Sequence, residues 1–174
     1  KINMNTSSPI RVRFAPSPTG YLHIGGARTA LYNYLFAKIN GGSMVLRIED
    51  TDRKRYVEDS EKQLIKDLKW LGISWDEGPD VGGKYSPYTQ SERTKLHRNY
   101  AEKLVSIDKA YYCFCYKERL QSIRSKHKGY DGHCRDIDTN KALERVISGE
   151  EHTIRFRSPK QGTTTVDDLI RKNI

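Results

Sequence analysis

Residues 16–26 combine side chains and glycines that suit a nucleotide phosphate. Two prolines, His23, Gly25 and Gly26 stand here between a strand-like stretch and a helix-like one. The start of a helix offers free N–H groups and a positive dipole end, and glycines let a ligand lie against the backbone. His23 could donate a hydrogen bond to phosphate oxygens and stabilise charge that develops during phosphoryl displacement. The alternative is a histidine that only caps the helix.

A second candidate segment, residues 49–53, reads Glu-Asp-Thr-Asp-Arg and follows a strand-like stretch. In open α/β sheets, ligands bind beyond the carboxyl ends of the strands, so both segments are expected to border one crevice. An ionised Glu49 could hold a ligand ammonium group, and Arg13 could pair with a carboxylate through its planar guanidinium. The alternative is a solvated acidic turn that caps the next helix.

A third candidate is a metal site in the span from residue 113 to residue 134, which contains all three cysteines of the chain. Its donors are three thiols and a phenolic oxygen, from Cys113, Cys115, Tyr130 and Cys134. Zinc accepts such a set if Tyr130, His127 or His133 completes a tetrahedron. An odd number of clustered cysteines does not match a secreted disulfide framework. The alternative is three reduced cysteines, two of them on one strand.

The elements that would position these residues begin with a strand, a helix and a second strand. Residues 10–15 alternate apolar and basic side chains and residues 44–49 are mainly apolar, which predicts two strands. Between them, apolar residues at helical spacing predict a helix that ends near Ile39, with residues 40–42 as its C-terminal cap. This order favours a parallel βαβ unit, and therefore an α/β fold.

Further elements follow this unit. Apolar residues at helical spacing predict a helix over 64–71 and another over 96–104, and the polar, glycine-rich residues 76–87 predict a surface loop. The cysteines and many basic residues come after these elements. We therefore place a domain boundary near Lys109.

Length and composition limit the classes of function. The chain has 174 residues, enough for one good core or for one domain and part of another. No apolar run reaches the length of a membrane span and residues 1–8 lack a signal-peptide pattern, which predicts a soluble cytoplasmic protein. Lys and Arg total 31 against 22 Asp and Glu, and the formal charge of +9 has the sign expected for a polyanion partner.

Several motifs together resemble the start of a bacterial-type glutamyl-tRNA synthetase, a class I aminoacyl-tRNA synthetase. In chain order they are Arg-Phe-Ala-Pro-Ser-Pro-Thr-Gly at 13–20, His-Ile-Gly-Gly at 23–26, Arg-Ile-Glu-Asp-Thr-Asp-Arg at 47–53, Leu-Lys-Trp-Leu-Gly at 68–72 and Tyr-Asp-Gly-His-Cys-Arg at 130–135. The resemblance implies an α/β fold in which residues 1–109 form the first half of a Rossmann-type parallel-sheet catalytic domain. Residues 110–174 would then begin an inserted α+β domain that binds the tRNA acceptor end.

The resemblance also implies a reaction in two steps. Glutamate attacks the α-phosphate of ATP to give glutamyl-adenylate and pyrophosphate, and the glutamyl group then passes to the 3′ end of tRNA. The implied partners are L-glutamate, ATP with Mg²⁺, and tRNA(Glu), without a membrane, and the enzyme is expected to be a monomer. Such a site acts by positioning the reactants and stabilising charge, so it needs no covalent nucleophile.

Individual residues match the glutamate and ATP sites of that family. The residues that match its glutamate-binding positions are Arg13, Ala15, Ser17 and Glu49. Arg13 would face the side-chain carboxylate of the substrate. His23, Gly25 and Gly26 match the ATP-binding signature, with His23 as the catalytic residue. The usual form of this signature has a second histidine where this chain has Gly26.

Other matched residues concern tRNA and zinc. Asp52 and Arg55 correspond to positions near the terminal adenosine of tRNA. The four donors that match a zinc-binding subset of the family are Cys113, Cys115, Tyr130 and Cys134. The resemblance implies that this zinc is structural and shapes the inserted domain without performing the chemistry.

The family's Lys-Met-Ser-Lys-Ser type loop and its anticodon-binding domain do not occur in these 174 residues. We therefore expect the chain to be part of a longer enzyme and to make no glutamyl-adenylate at a useful rate alone. One alternative is the shortened paralogue that attaches glutamate to a modified base, glutamyl-queuosine tRNA(Asp) synthetase. Another is a non-catalytic, zinc-containing RNA-binding module. Residues 51–53 and 76–83 favour the full-length ligase over the paralogue.

Overall fold

The computed structural model describes residues 9–52, 54, 55, 57–124, 129–168 and 171–174. The chain forms two compact units, Lys1–Leu96 and His97–Ile174. The first contains β1 (Arg11–Phe14), α1 (Ile24–Ile39), β2 (Ser43–Leu46), α2 (Ser60–Trp70) and a 3₁₀ helix (Gln90–Arg93). α3 (Thr94–Ser106) contributes most of its length to the second unit. The second unit continues with β3 (Ala110–Cys113), α4 (Lys117–Arg124), α5 (Thr139–Ile147), β4 (Thr153–Phe156), β5 (Asp167–Asp168) and β6 (Lys172–Asn173).

The first unit is built on the predicted βαβ arrangement. β1 and β2 pair in parallel, with Arg11 opposite Ser43 and Phe14 opposite Leu46. α1 connects them and packs on both strands. Its C-terminal cap is Asn40, and Gly41 follows with a φ of +61°. The sequence interpretation of an α/β fold with a parallel sheet is therefore confirmed.

The core of the first unit lies between the two strands and helices α1 and α2. Its buried members are Phe14, Ala30, Ala37, Met44, Leu46, Ile48, Leu64, Leu68, Ile73 and Trp75. The buried residues of α1 are the small Ala30 and Ala37, whereas Leu31 and Leu35, which predicted the helix, are exposed. Leu71 was predicted to continue the apolar stripe of α2, but it is the C-cap of that helix and is exposed.

Part of the predicted surface loop 76–87 is hydrogen-bonded to β2. Val45 forms a parallel bridge with Glu77, and the Leu46 amide donates to the Glu77 carbonyl at 2.8 Å. Arg11 reaches the Glu77 carboxylate with two hydrogen bonds, at 2.9 and 2.7 Å. The Tyr88 hydroxyl donates to the same carboxylate. This segment is therefore held by both backbone and side-chain contacts.

The second unit is organised around the antiparallel pair of β3 and β4. Ala110 lies opposite Phe156, and Cys113 lies opposite Thr153. Because successive side chains of a strand point to opposite faces, β3 contributes to two separate clusters. One contains the buried residues Tyr111, Cys113 and Cys134, and the other contains Tyr112, Phe114 and Ala142.

Val105 of α3 packs against the second of these clusters. The compact unit consequently begins after Leu96, earlier than Lys109, near which the sequence predicts a domain boundary. The identity of the two domains stays a prediction. Within the part of the chain that the structure describes, no helix is both long enough and apolar enough to cross a membrane.

Candidate active site and candidate metal centre

The carboxyl ends of β1 and β2 lie side by side in the first unit. The Arg47 amide donates to the Phe14 carbonyl at 3.0 Å, and the Glu49 amide donates to the Pro16 carbonyl at 2.9 Å. These bonds continue the parallel register beyond the two strands. The structure thus brings residues 16–26 and residues 49–52 to the same edge of the sheet, where ligands of open α/β sheets bind.

His23 is the N-cap of α1, and its Nδ1 accepts a hydrogen bond from the Gly26 amide at 3.3 Å. The capping interpretation of His23 is therefore correct, but it uses only one of the two ring nitrogens. When Nδ1 of a neutral imidazole accepts, Nε2 carries the proton. His23 can thus cap the helix and still offer one N–H donor to a ligand.

A cavity of about 240 Å³ lies beside this helix start. Ser17, His23 and Gly26 are among the residues that line it. Its volume is somewhat below the roughly 300–1,000 Å³ of ordinary ligand pockets, so it suits part of a ligand. A Cβ at position 26 would lie 3.0 Å from Leu22 Cδ1, and one at Gly25 would lie 3.1 Å from Nδ1 of His23. Glycine at both positions therefore keeps the helix start open.

The predicted glutamate-binding residues lie on β1, on the segment after it, and at the end of the adjoining strand segment. Arg13 and Ser17 are exposed, and Ala15 and Glu49 are half-buried. No ion pair is found for Arg13 among the described residues. The Arg13 guanidinium is therefore accessible to a carboxylate from solution.

Glu49 is paired within the protein. Its Oε1 accepts a hydrogen bond from Nε of Arg47 at 2.7 Å. A ligand ammonium would have to share this carboxylate with Arg47. The sequence analysis did not predict Arg47 as a partner of Glu49. The available signal was the spacing, because residues two apart on an extended segment lie on the same face.

The acidic residues that follow Glu49 do not cap α2. Asp50 is buried and its Oδ1 accepts from the Ser91 amide at 2.8 Å. The N-cap of α2 is Asp59, which makes no side-chain capping bond. The alternative interpretation of residues 49–52 as a helix-capping turn is therefore wrong, because the helix begins later, at Ser60.

The two residues predicted near the tRNA terminus pair with each other. Nε of Arg55 donates to Oδ2 of Asp52 at 2.7 Å. This hydrogen bond is the main reason why the pKa of Asp52 is lowered from its ordinary value. Both side chains are exposed, so the pair is open to a partner. Arg53, the last residue of the same motif, lies outside the described residues.

The four predicted metal ligands converge in the second unit. The sulfurs of Cys113, Cys115 and Cys134 all lie within 4.8 Å of one another, and those of Cys115 and Cys134 are 3.6 Å apart. The Tyr130 hydroxyl is 3.3 Å from Sγ of Cys113 and 3.4 Å from Sγ of Cys115. Tetrahedral zinc with Zn–S bonds near 2.3 Å needs sulfurs about 3.8 Å apart, so the arrangement fits zinc.

The other two candidates for a fourth ligand are His133 and His127. His133 is exposed and is not part of the sulfur cluster. His127 lies outside the described residues. Cys115 follows the end of β3, so only Cys113 of the cysteine pair belongs to that strand. The cysteines therefore meet because a strand end and the segment around Tyr130 approach each other.

The electrostatic environment favours an ionised thiol at one position. Burial opposes ionisation of Cys113, but hydrogen bonds from the Tyr130 hydroxyl, the Cys115 amide and Arg155 outweigh it and lower the pKa of this thiol to about 7. Burial and hydrogen bonds to the cysteines raise the pKa of Tyr130. Burial also raises the pKa of Cys115. A thiolate at Cys113 is the form that binds a metal.

The family of class I tRNA synthetases for glutamate and glutamine matches residues 9–174, with the description "tRNA synthetases class I (E and Q), catalytic domain". The chain therefore belongs to this family. The match covers the parallel βαβ unit, the helix start at His23 and the cysteine cluster.

Individual relatives carry more specific names. Glutamate–tRNA ligase 2 of Caldicellulosiruptor saccharolyticus is 50% identical over 171 residues, which is 95% of this chain and 36% of that protein. Glutamate–tRNA ligase of Borreliella burgdorferi is 49% identical over 166 residues, or 92% of this chain and 34% of that protein. The chain thus spans about a third of the length of these relatives.

A solved structure is similar throughout the chain. The glutamate–tRNA synthetase of Elizabethkingia anophelis superposes with a TM-score of 0.85 at 40% sequence identity, covering 96% of this chain and 36% of that one. A second structure, with the same values, is a glutamate–tRNA ligase from Elizabethkingia meningosepticum in complex with its amino acid.

Proposed function

We propose that this chain provides the glutamate- and ATP-binding first half of the catalytic domain of a glutamate–tRNA ligase. The observation that carries the proposal is the meeting of the His23 helix start with the Glu49 strand end at one edge of a parallel sheet. Relatives about 50% identical bear this activity in their names. The residues at this edge of the sheet belong to the motifs by which the sequence resembles glutamyl-tRNA synthetases.

In this proposal, two charged residues select the amino acid. The planar guanidinium of Arg13 pairs with no carboxylate of the described residues. It binds the side-chain carboxylate of glutamate. Glu49 binds the substrate ammonium, with Ser17 and Ala15 completing the site. The contact with Arg47 holds the Glu49 carboxylate in position before the substrate arrives.

ATP would bind across the start of α1. Gly25 and Gly26 let the nucleotide approach the backbone, and the helix dipole favours its negative charge. The Nε2–H of His23 donates to a phosphate oxygen and stabilises charge as glutamate attacks the α-phosphate. Mg²⁺ accompanies the nucleotide. The glutamyl group then passes to tRNA(Glu), whose terminal adenosine would meet Asp52 and Arg55.

Zinc would serve the second unit as a structural metal. The residues that would hold it are Cys113, Cys115, Tyr130 and Cys134. The bound metal would link the end of β3 to the segment around Tyr130. This link would shape the domain that, by the family resemblance, binds the tRNA acceptor end.

An exchange of segments tests the proposed activity. Residues 9–174 replace the matched segment of the Borreliella burgdorferi ligase, and glutamate-dependent ATP–pyrophosphate exchange is measured in the presence of tRNA(Glu). We expect the chimera to catalyse exchange with glutamate. In the chimera, Arg13→Met raises the KM for glutamate but not for ATP, whereas His23→Ala lowers kcat by roughly 10²–10³-fold, as for one lost transition-state donor.

The matched control is Arg28→Met, which removes an exposed guanidinium from α1. This variant should leave both constants unchanged. A chimera that melts cooperatively like its parent but shows no exchange would contradict the proposal. Equal effects of Arg13→Met and Arg28→Met on the KM for glutamate would contradict the role of Arg13.

A further inference from the structure

We propose that Arg155 of β4 and Arg119 of α4 orient the donors of the metal site, and that Arg155, which pairs with no carboxylate of the described residues, also offsets their negative charge. This inference rests on the proposed zinc site and adds two residues to it. Neither arginine is a metal ligand, because a guanidinium has only donors and stays protonated in proteins. Both act through the side chains that would bind the metal.

Arg155 lies over the tyrosine of the site. Its guanidinium carbon is 4.0 Å from the centroid of the Tyr130 ring, within the range of a cation–π contact. In the β3–β4 register Arg155 is opposite Tyr111, and the next position on the same face pairs Thr153 with Cys113. The two strands therefore place the guanidinium on the face that carries Cys113.

The charge of Arg155 is not balanced by a carboxylate of the described residues. No ion pair is found for it within the described ranges, and its Nε is buried without a hydrogen-bond partner. A half-buried cation is costly unless it meets an anion or aromatic face. The groups of the site that Arg155 faces are therefore the Tyr130 ring and, on the same face of the strand pair, Cys113.

Arg119 approaches a second sulfur. Its Nη1 is 3.6 Å from Sγ of Cys115, and its Nη2 donates to Oδ2 of Asp131 at 2.7 Å. Oδ1 of the same carboxylate accepts from the His133 amide at 3.2 Å, directly before Cys134. Asp131 thus ties Arg119 to the segment that carries two of the four donors.

Charge explains why these contacts matter for the metal. Zinc with three thiolates carries a net charge of −1, and −2 if Tyr130 binds as a phenolate. Nearby cations stabilise such an anionic complex and hold its ligands in place. Loss of an outer hydrogen-bonding partner typically lowers metal affinity by roughly 10–100-fold.

The test measures zinc affinity of the whole chain by competition with a chromophoric chelator, for the wild type and for Arg155→Met. The substitution keeps a long side chain and removes the charge, and we expect roughly 10–100-fold weaker binding at unchanged stoichiometry. Arg155→Lys keeps the charge without the planar stack, so its affinity should fall between the two. Lys160→Met is the control, because Lys160 is exposed and contacts none of the donors.

A spectroscopic readout separates this role from simple structural support. In the cobalt-substituted protein, Arg155→Met should shift the sulfur-to-cobalt charge-transfer band, whereas Lys160→Met should not. If Arg155→Met does not fold, Arg119→Met is measured with the same two readouts, and weaker binding with a shifted band is again expected.

The outcomes distinguish the two proposals. A wild type that binds no zinc overturns the metal site and, with it, this inference. A wild type that binds one zinc, with affinity and cobalt spectrum unaltered in folded Arg155→Met or Arg119→Met, overturns the role of the arginines and leaves the metal site standing.

Discussion

His23 has a structural role and a proposed chemical role. Each role uses a different ring nitrogen. Nδ1 caps α1 through the Gly26 amide, and Nε2 is left to donate to a phosphate. Mutation to asparagine can separate the two roles. Asparagine is a good N-cap residue, but it has no group in the position of Nε2.

We predict that His23→Asn leaves the free energy of unfolding within about 0.5 kcal/mol of the wild type, while His23→Ala costs about 1 kcal/mol. Both variants should bind ATP more weakly. Urea unfolding and calorimetric ATP titration measure the two effects. Undiminished ATP binding by a folded His23→Asn protein would contradict the phosphate role of His23.

Cys134 is the residue that most sharply tests the metal centre. Its sulfur is buried and lies 3.6 Å from that of Cys115, and its amide donates to the Tyr130 hydroxyl at 3.0 Å. We predict that Cys134→Ser lowers the zinc content of the purified chain, measured by atomic emission. His133→Ala, a change at the exposed neighbour, should keep one zinc per chain. Unchanged zinc content in Cys134→Ser would refute the ligand set.

The sequence was sufficient to predict the residue types of this centre but not their full surroundings. Cys113, Cys115, Tyr130 and Cys134 could be predicted together from a familiar motif. Arg155 could not, because it meets Tyr130 only through the register of β3 with β4, which joins segments about forty residues apart.

At the scale of elements, β1, β2 and the segment after Trp75 depend on a few side-chain and backbone contacts. Arg11 holds the Glu77 carboxylate with two hydrogen bonds, and Tyr88 donates to it as well. The hydrogen bond from Arg11, followed by that from Tyr88, lowers the pKa of Glu77. A lowered folded-state pKa adds stability above the unfolded-state pKa, and this stability is lost as the pH falls.

We predict that Glu77→Gln lowers the free energy of unfolding at pH 7 by about 1–2 kcal/mol, the lower part of the range for charged hydrogen bonds, because Arg11 is partly exposed. Between about pH 5 and about pH 3, the wild type should lose stability more steeply than this variant. Denaturant unfolding at a series of pH values checks both effects. Glu58→Gln, at an exposed carboxylate, is the control. Parallel pH profiles for wild type and Glu77→Gln would contradict the account.

The connection from α1 to β2 needs glycine at one position for space. A Cβ on Gly42 would lie 2.5 Å from the Ile10 carbonyl oxygen, which already accepts a hydrogen bond from the Ser43 amide at 2.9 Å. We predict that Gly42→Ala destabilises the chain by about 1–3 kcal/mol, as other overpacked sites do. The measurement is thermal or denaturant unfolding.

Gly41 is the matched control for this prediction. It has a φ of +61° but open space around it. Asparagine tolerates this left-handed conformation, so Gly41→Asn should cost less than Gly42→Ala. The reverse order would contradict the steric explanation.

The periodic patterns predicted these elements better than they predicted which faces are buried. Apolar spacing predicted α1, yet its buried residues are two alanines, Ala30 and Ala37, which belong to the core of the first unit. The hydrogen bonds that hold residues 76–87 along β2 join residues far apart in the sequence, and no local pattern predicts them.

At the scale of the whole molecule, the proposed glutamate and ATP contacts belong to the first unit and the proposed zinc site to the second. The chain belongs to a family of class I tRNA synthetases and spans about a third of its named relatives. We therefore propose that this chain supplies one set of substrate contacts of a ligase, centred on Arg13, His23 and Glu49.

Binding of a non-hydrolysable glutamyl-adenylate analogue to the ¹⁵N-labelled chain tests that claim most directly. Amide resonances should shift in a saturable manner at Ser17, His23, Gly25 and Glu49. Arg13→Met should weaken binding of the glutamyl analogue by at least about tenfold while leaving AMP binding unchanged, since a charged bidentate contact is worth about 1.5–3 kcal/mol. Shifts confined to other residues, or equal affinities of wild type and Arg13→Met for the glutamyl analogue, would contradict it.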